Sequence, residues 1–142
     1  MRVIAAYFPA TVLAYLVASA FSTLMIMAGL ANMAMPVSAA DVLSAVWFDW
    51  LGLLGSYLPL VAIALLIALP VAGQLHGRLG LPRRFIYALS GFAALIAIHL
   101  ILEATLGLIG FAAVRTTLGL LLQGVAGGLA GWLFAHLSET KA

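Results

Sequence analysis

The sequence predicts an all-α integral membrane protein, a bundle of four transmembrane helices with a short interfacial helix between the first and second. Three observations predict it. Hydrophobic residues make up 66% of the chain and charged residues 7%, against roughly 45–50% and 25% in a soluble domain. Mean hydropathy is +1.26, an excess that no aqueous core absorbs, so the solvent is lipid. A chain of 142 residues has room for about four spans of 20 residues with short connections. Residues 1–142 are therefore read as one domain, with spans near 9–33, 54–76, 85–106 and 111–137.

The first apolar run, Val3 to Met35, contains no charge. As one helix it is about 50 Å long, against a hydrocarbon core of about 30 Å. It must tilt, protrude or begin near Pro9, which suits a first helical turn. Ala14, Ala18 and Ser22 form a small-residue stripe at spacing four, which permits a neighbouring helix to approach closely. The pattern Ala18-Ser19-Ala20 also fits a signal-peptide cleavage site, but the apolar run continues well past it.

Pro36 stops the first helix. Ser38, with Asp41 three residues on, resembles a capping box with Asp in the usual place of Glu. In the short helix that follows, Trp47 and Trp50 flank Asp49. Tryptophan beside a charge reads as an interfacial belt. The second span follows, with Pro59 in its first turn. Pro70, late in the span, fits either tolerated packing or a hinge.

Gln74 to Arg84 is a loop with two glycines, a proline and three arginines, Arg78, Arg83 and Arg84. This basic cluster fixes topology and is a candidate contact for anionic lipid headgroups. The third and fourth spans follow. The fourth is rich in glycine, and the pairs Gly124/Gly128 and Gly127/Gly131 each have spacing four. Glycine at that spacing lets helix backbones meet, either inside one subunit or between subunits.

Both termini of a four-span protein lie on one side. That side holds Arg2, Arg78, Arg83, Arg84 and Lys141, and the other holds only Arg115. The positive-inside rule places both termini in the cytoplasm. A compact bundle with short loops suits a bacterial inner membrane. The net charge of +2 reflects these loops and does not argue for nucleic acid.

Chemistry within the spans concentrates at His99, Glu103 and Arg115. His99 and Glu103 are four apart and share a helix face. A turn at Gly107–Gly110 would bring Glu103 and Arg115 to similar depth, which suggests an ion pair. Ionisable groups within spans are functional candidates by default, although a carboxylate held by arginine is more often a static tie. Gln123, inside the fourth span, is expected to bond a neighbouring helix. Met25, Met27, Met33 and Met35 offer soft sulfur ligands, but their offsets do not share one helix face. His76 and His136 have no acidic companion nearby in sequence. No HExxH spacing or phosphate-cradling loop occurs. Cysteine is absent, which excludes disulfides, thiolate nucleophiles and thiolate metal sites.

These features imply no metal, no cofactor and no enzyme. The first expectation is a structural or accessory subunit acting by helix packing in the lipid bilayer, in a homo-oligomer or a larger membrane complex. The alternatives are a small transporter or channel with a polar site around His99 and Glu103, and a membrane enzyme acting on a lipid or quinone.

Overall fold

The computed structural model describes residues 2–106 and 116–139, and over these the chain forms five helices. They are α1 (Arg2–Asn32), α2 (Ala39–Gly52), α3 (Tyr57–Leu79), α4 (Arg83–Leu106) and α5 (Thr117–Ser138). Four of them, α1, α3, α4 and α5, are long and apolar enough to cross a membrane. The fold class is that of the sequence reading: an all-α membrane bundle with one shorter helix between the first two spans.

The first helix takes the long course open to the apolar run: it begins at Arg2, so Pro9 lies inside it. Proline cannot donate to the carbonyl four residues back, and that bond is lost at Ala5. A uniformly apolar helix in lipid tolerates the loss, since its other backbone bonds remain internal. At its far end α1 closes in a Schellman pattern. The N–H of Met35 donates to Leu30 O at 3.3 Å, and that of Ala34 to Ala31 O at 3.1 Å. Ala34 occupies the left-handed position, with φ 58°, where glycine is usual.

The next helix, α2, starts at the expected capping box. The Ser38 hydroxyl accepts from the Asp41 N–H, and the Asp41 carboxylate accepts from the Ser38 N–H at 2.9 Å. From there α2 runs back along the C-terminal half of α1. Thr23 Oγ1 donates to Asp49 Oδ2 at 2.5 Å, and Trp50 Nε1 donates to Leu16 O at 3.0 Å. Trp47 remains exposed, whereas Trp50 is half-buried and hydrogen-bonded to α1.

Tight helix contact is concentrated between α4 and α5 and between α1 and α5. The small residues Ala14, Ala18, Ala126 and Ala130 have no exposed surface. Where no side chain intervenes, backbones meet, and dispersion contact replaces the hydrophobic drive that lipid does not supply. The bundle core is correspondingly small-sided, with Tyr15, Tyr57, Leu65 and Leu95 as its largest fully buried side chains.

Candidate functional site

Polar side chains meet where α1, α3, α4 and α5 converge. Tyr57 opens α3, and its ring is 1% exposed. Its hydroxyl donates to Gln123 Oε1 on α5 at 3.0 Å and lies 3.3 Å from His99 Nε2 on α4. Gln123 Nε2 donates to Ala18 O at 3.0 Å and to Ser22 Oγ at 2.9 Å, both on α1. Gln123 thus bonds a neighbouring helix, as its position in the span implies, and bonds two of them at once.

Proton counting orders this network. The Gln123 amide must turn its NH2 toward the Ala18 carbonyl, which only accepts, so Oε1 faces Tyr57. His99 Nδ1 lies 2.6 Å from Leu95 O, so Nδ1 carries a proton. A phenol has one proton, and the shorter contact gives it to Gln123. His99 Nε2 faces the phenol oxygen at 3.3 Å.

A second polar tie lies beside the first. Ser22 is followed by Thr23, whose hydroxyl donates to Asp49 on α2 and lies 3.0 Å from Ser19 O. Tyr15 donates to Trp50 O at 2.5 Å and packs against Tyr57 with ring centroids 6.1 Å apart. Polar groups therefore run from Asp49 on the outer flank to His99 at the centre. Sequence reasoning missed Tyr57 and Ser22 as members. Tyr57 reads as a first-turn residue beside Pro59, and Ser22 reads as part of a packing stripe. The available signal was Ser22 itself, the one hydroxyl on that stripe.

The other residues singled out from the sequence are placed as follows. His99 is buried, and Glu103, one turn further on, is exposed. Arg115 and the Gly107–Gly110 turn lie outside the described residues, and with them the expected ion pair. Gly127 and Gly91 face each other so closely that a Cβ on either would stand 2.1 Å from the other's carbonyl oxygen. A Cβ at Gly131 would meet Tyr87 O at 2.0 Å, and one at Gly124 would enter the Phe92 ring. Gly128 has ordinary clearance, 3.5 Å to Ala88 O. These contacts lie between α4 and α5 of one chain.

The arginines gather at one end. Arg83 donates to Ala135 O at 3.1 Å and Ser138 Oγ at 2.7 Å, closing the last turn of α5. Arg84 grips Glu139 through Nε and Nη2 at 3.2 and 2.7 Å. That hydrogen bonding holds the Glu139 carboxyl below the usual carboxylate range. Arg78 is exposed on the last turn of α3. His76 Nδ1 donates to Leu81 O at 3.0 Å and ties the α3–α4 loop. Among the described residues, no group of three or more His, Asp or Glu side chains is arranged to hold a metal ion. The chain matches no family model, no curated protein and no solved structure.

Proposed function

We propose that this protein is an accessory subunit of the bacterial inner membrane, with both termini in the cytoplasm, that works by lateral association with itself or a larger membrane complex. The observation carrying this reading is α2. None of its residues is buried. Leu43, Trp47 and Leu51, at spacing four, are 72%, 57% and 59% exposed on one stripe, with Phe48 beside them. The opposite side is tied to α1 through Asp49 and Trp50. A bulky apolar stripe on a helix anchored only from behind suits a partner helix. The glycines of α5 are already engaged by α4, so α2 is the better candidate contact. The four arginines at one end of the bundle support the cytoplasmic placement.

The test is a photo-crosslinker at Phe48 in native membranes, followed by purification in mild detergent. A stoichiometric protein adduct, either a second copy or another membrane protein, is expected. Crosslinking to lipid alone contradicts the association role.

A second reading, proton-coupled transport, is supported by one observation: a histidine ring buried within a span, with its Nε2 3.3 Å from a buried phenol. Buried ionisable groups in spans mark proton relays as well as structural ties. Proteoliposomes loaded with a pH-sensitive dye test it. Proton flux lost on His99→Leu favours transport, and absence of flux in the wild type removes this reading.

A further inference from the structure

Between α1 and α3 lies a groove of about 370 Å³. Ile4 and Phe8 from α1 and Leu66 and Pro70 from α3 form its exposed walls, and the buried Leu69 and Tyr87 form its floor. Its lining is almost entirely apolar. Tyr87 of α4 is the exception. The residue is only 8% exposed. Among the described residues its hydroxyl has no hydrogen-bond partner, whereas those of Tyr7, Tyr15 and Tyr57 each donate to a carbonyl oxygen. A buried donor left without an acceptor is costly. The Tyr87 hydroxyl ends beside Gly73 of α3, where a Cβ would stand 3.0 Å from it, so glycine leaves space at the donor. The apolar run of α3 ends at Gly73, and Gln74, His76 and Arg78 follow. Arg83 stands 5.0 Å over the Tyr87 ring. The hydroxyl therefore lies where the apolar span gives way to the polar end of the bundle.

We propose that this groove seats one acyl chain of a glycerolipid and that the Tyr87 hydroxyl donates to the ester carbonyl of that chain. Two features select this occupant. The apolar walls accept a hydrocarbon chain and offer nothing to a polar body. The donor at the end of the groove calls for an acceptor joined directly to such a chain. An acyl ester supplies one at the boundary between headgroup and hydrocarbon, the level at which tyrosine is enriched in membrane proteins. The site thus reads the linkage of the lipid and not its headgroup. It rests on the membrane assignment and is independent of the accessory role.

The test is native mass spectrometry of the full chain in detergent, with diester phosphatidylcholine and its diether analogue of equal chain length added in turn. The two differ only in the carbonyls. Wild type is expected to retain the diester about fivefold more, the usual net worth of one hydrogen bond. Tyr87→Phe keeps the ring, removes the donor and brings the diester down to the level of the diether. Tyr7→Phe, which removes a hydroxyl already committed to Ala62 O, keeps the preference. Leu66→Trp fills the groove from an exposed position and lowers retention of both lipids. Equal retention of diester and diether by wild type overturns the proposal. So does a Tyr87→Phe variant that keeps the diester preference, or Leu66→Trp binding both lipids like wild type, which places the retained lipid elsewhere on the bundle.

Discussion

On α5 a single methyl group separates a tolerated residue from a forbidden one. Alanine at Gly127 would place Cβ 2.1 Å from Gly91 O, a backbone atom that moves only if α4 and α5 part. Alanine at Gly128 meets nothing closer than 3.5 Å. Gly127→Ala is therefore expected to destabilise the bundle by about 1–3 kcal/mol, the usual cost of overpacking, and Gly128→Ala by less than about 0.5 kcal/mol. Thermal unfolding in detergent measures both, and equal losses would mean that the backbones do not touch at Gly127. Spacing alone could not separate these glycines, because Gly124/Gly128 and Gly127/Gly131 satisfy the same rule. What distinguishes Gly127 is Gly91, a lone glycine 36 positions away in the chain. Gln123→Leu is the polar counterpart. It removes one acceptor from Tyr57 and two donors to α1. Interhelical hydrogen bonds in membranes contribute on the order of 0.6–2 kcal/mol each, so a loss of similar size is expected in the same assay.

At the scale of elements, the ends of helices carry the local information. The capping box of α2 was legible because its chemistry is local: Ser38 and Asp41 sit at the spacing that closes one turn. The Ser38 hydroxyl and N–H bind the Asp41 carboxylate and hold its pKa below the ordinary value. A lowered folded-state pKa means stability that is full above the unfolded value, about 3.9, and is lost as pH falls through the folded one. Amide exchange in α2 is therefore expected to speed up, relative to α4, as pH is lowered from 5 to about 3. Asp41→Asn should abolish that extra pH dependence; a variant that keeps it places the titrating group elsewhere. The start of α1 carries no such local signal. Proline marks a first turn in water, whereas Pro9 sits within a helix whose backbone has no better partner in lipid. The far end of α1 offers a further test. Ala34 holds φ 58° in a Schellman turn, a conformation that costs an L-residue about 1 kcal/mol or more. Ala34→Gly should raise stability by up to about 1 kcal/mol, read as a higher unfolding midpoint, and no gain would mean that this turn is not populated.

The whole molecule was legible as far as composition and length reach. Apolar runs and their breaks predict four spans, because lipid imposes one length on every crossing. The central network was not, since Tyr57, His99, Gln123 and Ser22 come from four helices and share no sequence spacing. The charges set the expected orientation. The arginines at positions 2, 78, 83 and 84 crowd one end of the bundle, against Asp41 and the last turn of α4 at the other. Cysteine is absent from the chain, so introduced thiols report alone. Ser38, exposed after α1, and Leu81, 44% exposed in the α3–α4 loop, are the suitable sites. Gly80 is avoided because its φ of 63° penalises any side chain. A membrane-impermeant maleimide added to intact spheroplasts should modify Ser38→Cys and leave Leu81→Cys untouched, and inverted vesicles should reverse the pattern. The bundle requires the two positions to lie on opposite faces, since α3 crosses between them. The arginine distribution predicts that Leu81 faces the cytoplasm. Labelling of both from one side would break the four-span arrangement, and a clean reversal would keep the fold and overturn only the orientation.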